Sequence, residues 1–485
     1  MSAMEDQPGQ LLPDKVVPLG IFDDTFLTWD VVYYTMFLFD DAMDVSRLRD
    51  GLESLVERDG WRKLGARIRR SPTKGLEYHI PPRFTRDRPA IRFHHVEHDM
   101  ARADHAVASR IPGVTRTPAV VADADDFQSL WLHPDMPTKL SHYLRGDEPQ
   151  LGLLVTSFHD ATVVSLSWPH WLCDAMGQGE ILHAWSLMLQ GRSGEVRTPY
   201  GVEHDALAGV GTDASEPYRL RRFMLSWLGL ALFWLRYLFP VLVRRQHHRV
   251  VCVPGPFLSK LREKALDELA GQTPDGKRPF LSEGDVLCAW WTRLNVAHLP
   301  RNSGKLVHIG GALGWRAALE DMLPPNRPYI ANAMGIFSVL VPLKDTFTKP
   351  LSSLAWQIRR SIAESRTRGQ VEAYAALWRR MPAMAPPVFG NSTTHALSHS
   401  DWSRAKLFEV DFSPAIVKLG ADSSSNRPGR PCYVQACNRG VLLANLTVVF
   451  GKDCVGNYWL TCVGDAAHWA IVEEAIAGAN EDEHD

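Results

Sequence analysis

The chain has 485 residues, more than one ordinary hydrophobic core organises, which points to two domains. With 45% hydrophobic and 22% charged residues it has the composition of a soluble globular protein, and a formal net charge of −2 gives no basic excess for nucleic-acid binding. Seven cysteines with no CxxC pair read as reduced thiols in a cytosolic setting, not as a disulfide framework. The opening MSAMEDQPGQLLPDK carries an early acidic pair and no apolar run, so it does not read as a secretory signal.

Asp44 is placed to cap a helix whose Leu48, Leu52, Leu55 and Val56 share one face, with Gly60 as its stop. WRKLGARIRR then passes through a turn signal, SPTKG, into a strand within LEYHIPPRF. Residues 87–150, rich in Asp, Arg, His and Pro, read as irregular structure with short elements. Residues 151–168 read as a β-hairpin, LGLLVTS and ATVVSLSW, turning near His159 and Asp160. Val164, Leu166 and Trp168 alternate with Ser165 and Ser167, so one face of the second strand is expected to be apolar. Pro169 ends that strand and HWLCDAMGQG is expected to be a loop. Ile181, Leu182, Trp185, Met188 and Leu189 then form a helical stripe. Residues 191–220 read as a polar linker.

Phe223 to Val243, FMLSWLGLALFWLRYLFPVLV, approaches the roughly 20 apolar residues that span a bilayer. Arg236 inside it would cost about 2.5–3.5 kcal/mol near the bilayer centre. Pro240 disturbs its last turns, and Arg219, Arg221 and Arg222 before it match Arg244 and Arg245 after it, so the flanks set no orientation. A buried crossover helix, or an interfacial helix using Trp227, Trp234 and Tyr237, fits better than a span. Beyond residue 250, Ser282 to Asp285 resembles a capping box ahead of the helix VLCAWWTRL. LVHIGGALGW and ANAMGIFSVLVPL read as strands, and SLAWQIRRSIAESRTRGQVEAYAALWRRM as one long amphipathic helical stretch. KLFEVDFS, PCYVQACN and GVLLANLTVVFG read as strands, with a last helix near 465–477. Strands and helices alternate in both halves, so the fold class is α/β with a boundary within 200–250.

The sharpest chemical feature is His170-Trp-Leu-Cys-Asp174. Acyl transfer to a hydroxyl needs a base active near pH 7, and imidazole matches that task. Alone, HxxxD is a weak signal, and a solvent-facing His beside a turn carboxylate is the bland alternative. A zinc site would recruit His159, His170 or His183 with Asp174, but no HExxH or paired Cys/His spacing supports it, so no metal is expected. GxSxG, GxGxxG and GxxxxGK[ST] are all absent, which disfavours serine hydrolases and nucleotide folds.

SWPHWLCDAMGQGEILHAW resembles the core of the BAHD acyltransferases, where HxxxD is followed by a small residue, a glycine and a helix. WRKLGARIRR to LEYHIP resembles the lead into that family's first domain. Leu313-Gly-Trp-Arg316 is similar to its arginine-bearing strand end, Tyr329-Ile-Ala-Asn332-Ala to its Asn-containing stretch, and SDWSRAKLFEVDFS to the region of its DFGWG motif. The match runs in order over nearly the whole chain, in a style closer to fungal members such as trichothecene O-acetyltransferases than to plant ones. There is one departure, since DFGWG is Asp411-Phe412-Ser413-Pro414-Ala415 here.

The resemblance implies two chloramphenicol-acetyltransferase-like lobes with mixed sheets and a central channel. They would span 1–215, with HxxxD, and 251–485, with the degenerate DFGWG region, joined by an apolar crossover at 216–250. It implies direct transfer from acyl-CoA, with acetyl-CoA the default co-substrate and no bound cofactor, to a hydroxyl of an apolar secondary metabolite. His170 would be the general base. Asp174, paired with Arg316, would be structural, as would Asp411, and Trp171, Gly177, Asn332 and Trp402 would lie along the substrate channel. The protein is expected to be a cytoplasmic monomer in natural-product biosynthesis, with peripheral membrane contact through 223–243 as an option. The alternatives are a condensation-type enzyme fed by a carrier protein, disfavoured by Pro169 and Ala175 where HHxxxDG is usual, and a degenerate member that binds CoA without turnover. A membrane-embedded acyltransferase would need more than one apolar segment.

Overall fold

Two mixed sheets carry the fold in the computed structural model, which describes residues 13–72, 75–272, 276–420, 427–440 and 444–481. The five-stranded sheet runs in the order Tyr433–Gly440, Val31–Phe39, Thr162–Pro169, Gly152–Ser157, Arg92–Glu97. The seven-stranded sheet runs Met334–Pro342, Leu306–Gly314, His395–Asp401, Leu446–Lys452, Tyr458–Asp465, Gln246–Val253, Ala119–Asp123. Arg92–Glu97 is parallel to its neighbour, and His395–Asp401 is parallel to both of its own. The chain is thus mixed α/β, as its alternating elements imply.

Each sheet takes a strand from the other half of the sequence. Tyr433–Gly440 pairs antiparallel with Val31–Phe39, and Ala119–Asp123 pairs with Gln246–Val253 through a register shift at Val250 and Val251. One hydrophobic core accordingly mixes Phe37, Trp168 and Trp185 with Phe412, Phe450 and Trp459. Two spans of contiguous sequence, 1–215 and 251–485, therefore hold most of each sheet but not all of either.

Several local expectations hold. Asp44 caps Val45–Val56 by accepting from the Arg47 N–H, and Leu48, Leu52, Leu55 and Val56 are its buried residues. Ser282 and Asp285 form a reciprocal capping box at Glu283–Asn295. The hairpin strands are Gly152–Ser157 and Thr162–Pro169.

Others are corrected. The second hairpin strand is buried on both faces, because the 87–150 stretch folds over the side expected to be polar. The Ser165 hydroxyl donates to the Trp131 carbonyl at 2.8 Å. HWLCDAMGQG is not a loop throughout: a helix starts at Ala175 and runs to Leu189, because Asp174 caps it by accepting from the Gly177 N–H. Its two glycines look like loop residues but serve close packing. A Cβ on Gly177 would meet the Ile330 carbonyl at 2.3 Å, and one on Gly179 the Ala405 carbonyl at 2.8 Å. The long helical stretch is two helices, Leu351–Ser365 and Arg368–Arg379, since Thr367 caps the second. KLFEVDFS is not a strand but a run of 3₁₀ turns, with Lys406 in the left-handed region at φ 57°. The turn at SPTKG falls partly, and the opening MSAMEDQPGQLL wholly, outside the described residues.

The apolar segment forms a helix, Trp227–Val243, capped by Ser226, and only Phe233 in it is buried. Tyr237 Oη donates to the Ala444 carbonyl at 2.9 Å and Arg236 to Ser392 at 3.0 Å, so its polar groups tie it down. Its apolar side faces out, with Leu228 71%, Leu235 65% and Leu242 81% exposed. Among the described residues no helix is long and apolar enough to cross a membrane.

Candidate active site

Strand register builds the site. Thr162–Pro169 lies antiparallel to Val31–Phe39 with Trp168 opposite Tyr33, and their rings stack at 4.9 Å. His170 follows directly. Its N–H donates to the Val31 carbonyl at 2.8 Å, and the Leu172 N–H donates to the Pro169 carbonyl at 3.0 Å, closing the turn. The imidazole therefore leaves the end of a fixed strand, 5.6 Å from the Tyr33 ring and 6.0 Å from Trp168. Trp402 completes the aromatic wall, 5.2 Å from Tyr33.

Burial among these rings pushes the His170 pKa below its ordinary 6.5, against weaker support for the charged form from its own carbonyl, Asp174, Cys173 and Asn332. A base must be unprotonated to work, and this environment keeps the imidazole neutral at pH 7.

Asp174 does not hold the imidazole. One carboxylate oxygen accepts from Gly177 N–H at 2.9 Å and Arg316 Nη2 at 2.8 Å. The other accepts from Arg316 Nη1 at 2.8 Å and Ala333 N–H at 3.0 Å. Burial works to raise its pKa, but these four donors outweigh it and hold the carboxyl below the usual range. Arg316 Nη2 also donates to the Tyr329 and Ala331 carbonyls, both at 2.9 Å. Asn332 follows Ala331, and its side-chain amide donates to the His170 carbonyl at 2.8 Å. The motif turn and the 329–333 segment, far apart in sequence, are thus bound backbone to backbone through side chains.

His170, Asp174, Arg316, Asn332 and Trp402 come together. Trp171 sits in the motif turn and Gly177 in the first turn of the helix that follows it. Trp171 is fully buried, bonds Gln150 through its indole N–H at 2.7 Å, and packs edge-on to Tyr143 at 5.1 Å. Gly177 is the close-packing position already described. Asp411 lies beyond the motif helix, accepting from the Ser413 N–H at 3.0 Å. That turn leans on Gly429, at φ +72°, whose carbonyl accepts from Phe412 N–H at 2.8 Å. Phe412 packs on Trp185 of the motif helix at 4.4 Å, so the Ser-Pro-Ala sequence keeps the anchor without the Gly-Trp-Gly turn.

Sequence reading missed Tyr33, Tyr78, Lys63 and Asp23. Tyr78 Oη donates to the Trp171 carbonyl at 2.8 Å, and the Lys63 ammonium sits 4.5 Å over the Tyr78 ring. The only signal for Asp23 was an acidic pair, Asp23-Asp24, set between apolar residues.

His159, His170 and His183 do not converge. Among the described residues one trio, His94, His133 and Asp135, brings potential ligand atoms within 4.8 Å. The two imidazoles there stack at 3.7 Å and 13°, so their in-plane lone pairs run side by side instead of meeting at a point. Across the motif helix from His170 lies an open cleft of about 750 Å³, lined by Glu180, His183, Arg316, Arg404 and Asp411 among others, and His170 does not line it.

No family model matches the chain. It is 40% identical over 483 residues to the transcriptional regulator calD of Penicillium decumbens, covering 98% of each chain. It is 34% identical over 496 residues to the acetyltransferase adrJ of Penicillium rubens, covering 98% of each. It is also 34% identical over 503 residues to the acetyltransferase sphE of Aspergillus fumigatus, covering 98% and 97%. In structure it resembles F. sporotrichioides TRI101 complexed with coenzyme A and T-2, at a TM-score of 0.66 and 14% identity over 94% and 96% of the two chains. Vinorine synthase follows at 0.57 and 13%, over 95% of each.

Proposed function

The chain belongs to the BAHD acyltransferases in their fungal form, and on that premise we propose that it moves an acyl group, acetyl by default, from coenzyme A to a hydroxyl of an apolar secondary metabolite. His170 is the base. Its neutral imidazole takes the acceptor proton as the hydroxyl oxygen attacks the thioester carbonyl. The tetrahedral intermediate collapses, the C–S bond breaks, and the thiolate of coenzyme A leaves with the proton returned from the imidazolium. The observation that carries this reading is the state of His170: half-buried against Tyr33 and Trp168 with Trp402 beside them, neutral at pH 7, and not hydrogen-bonded to the carboxylate of its own motif.

Asp174, Arg316 and Asp411 act structurally, while Asn332 and Trp402 border the reacting groups. An acyl-CoA panel incubated with candidate alcohols, read by product mass, tests the reaction. A folded protein that acylates none of them and releases no coenzyme A counts against it. The relative named as a transcriptional regulator does not shift the reading, since 53 Lys and Arg against 55 Asp and Glu leave no basic excess for a phosphate backbone.

The protein acts as a cytoplasmic monomer whose Trp227–Val243 helix rests on a membrane surface. That helix is about 25 Å long. It shows its apolar side to solvent, and Arg221, Arg222 and Arg245 are exposed beside its ends, which suits anionic lipid headgroups. Co-sedimentation with phosphatidylcholine vesicles, with and without phosphatidylserine, tests this. A monomer that stays in the supernatant with both would refute it, and a stable dimer that hides the helix would replace it.

A further inference from the structure

We propose that Asp23, outside every motif of the chain, is a positioning residue for the transfer reaction, acting on His170 through Asn332. The proposal rests on His170 being the base.

The geometry is a relay of hydrogen bonds. Asp23 Oδ1 accepts from the Asn332 backbone N–H at 2.9 Å and from the Asn332 side-chain amide at 2.7 Å. The second hydrogen of that same amide goes to the His170 carbonyl at 2.8 Å. The carboxylate thus fixes both the main chain and the side-chain torsion of Asn332, and Asn332 in turn fixes the peptide that carries the imidazole. Both amide hydrogens are used, so the orientation of Asn332 is determined by its two acceptors.

The surroundings show that this carboxylate is held at a cost. Asp23 is 3% exposed, and burial raises its pKa to about 6, partly offset by Lys63 and by the two Asn332 donors. Lys63 is itself buried, with its pKa lowered by that burial. Two desolvated ionisable groups behind a catalytic loop exceed what a turn needs for stability, since one neutral carbonyl oxygen could accept both Asn332 donors. Their arrangement instead matches support for the aim of a base, where a misplacement of about 1 Å costs about 10²-fold in rate.

Asp23 also mirrors Asp174. Asp174 grips the segment at Ala333 N–H, and Asp23 grips it one residue earlier, at Asn332 N–H. Only the Asp23 route reaches the His170 carbonyl.

The test is steady-state kinetics on the full chain, with melting temperatures. Asp23→Leu, near-isosteric without an acceptor, should lower kcat by about 10-fold to 10²-fold and leave KM for acyl-CoA within about twofold. Asp23→Asn, which keeps an acceptor oxygen, should recover most of that loss. Asn332→Ala should lower kcat to a similar degree, and adding Asp23→Leu to it should lower kcat little further. A folded Asp23→Leu protein with wild-type kcat overturns the proposal. If Asp23→Leu does not fold, Asn332→Ala decides in its place, and wild-type kcat there overturns it too. A variant that loses only melting temperature assigns Asp23 a structural role and equally overturns the proposal. His170→Ala serves as the control: if it stays active, the base reading has failed, whereas a dead His170→Ala beside a fully active Asn332→Ala means only this inference has.

Discussion

At the motif turn, Asp174 lies inside the protein with 6% of its side chain exposed, bonded twice to Arg316. At the Trp227–Val243 helix, Leu228 and Leu242 stand in solvent while Tyr237 and Arg236 hydrogen-bond to Ala444 and Ser392. The two regions break the usual sorting of residues in opposite senses, with charge inside in one and hydrocarbon outside in the other. They differ in how the exception is compensated. The buried carboxylate has four donors and loses little by being dry. The exposed leucines have no such compensation among the described residues, and the membrane surface proposed above would supply it. A rule broken and internally repaired marks a site built for geometry, and a rule broken and left open marks a surface built for contact.

The sharpest way to break this contrast is at the loop the buried pair supports. His170→Ala should reduce turnover by about 10²–10⁴-fold, as loss of a general base does, while the melting temperature stays close to wild type. Single-turnover acyl transfer measures it, and a folded variant with near-wild-type rate would remove the base.

Next in size is the pair itself. Removing one member of a buried ion pair costs about 3–5 kcal/mol. A quarter of the Arg316 side chain is exposed toward the cleft, which places this pair at the lower end, about 3 kcal/mol. Asp174→Ala and Arg316→Ala should each lose that stability in urea melts, with activity falling alongside. The double variant should be less than additive. Arg316→Lys should not rescue, since an ammonium cannot serve both carboxylate oxygens and the Tyr329 and Ala331 carbonyls together. Additive losses would mean that the two residues do not act as a unit.

The pH dependence sharpens the same side. The folded His170 pKa lies below 6.5, so the base form persists on the acid side, and the acid limb of kcat/KM should fall below pH 6.5. The Asp174 pKa is depressed in the folded state, so its stabilisation is complete above the unfolded carboxyl value of about 3.9. It is lost only as pH falls through the lower folded value. An acid limb above 6.5 would show that the imidazole is not desolvated.

The smallest effect belongs to the other region. Leu235→Gln and Leu242→Gln should change unfolding free energy by no more than about 0.5 kcal/mol. Leu166→Ala, in the fully buried hairpin strand, should lose about 2–5 kcal/mol. The same surface variants should weaken binding to phosphatidylserine vesicles. Large destabilisation by Leu242→Gln would mean that the helix face is packed, and the contrast would fail.

Local order was legible in the residues wherever it depended on near neighbours. The Asp44 and Ser282 caps, the hairpin, and the stripe of Ile181, Leu182 and Trp185 followed from short-range periodicity and capping chemistry. The HxxxD core, Arg316 and Asn332 stood out through their resemblance to a known pattern. Tertiary contact decided the rest. Gly177 and Gly179 read as loop residues, yet two distant carbonyls require them in a helix. The strands Ala119–Asp123 and Tyr433–Gly440 cross to sheets of the opposite half, which no local window contains. The partners of His170 are likewise long-range: Tyr33 arrives by strand register, and Asn332, fixed by Asp23, arrives from the other lobe. Sequence by itself determined the chemistry at hand, an imidazole after a strand and a carboxylate four residues on. Only the folded chain decided where that carboxylate's charge goes, because a desolvated ion takes its partner from whatever the fold brings within about 3 Å, and here that is Arg316 and the backbone of Ala333.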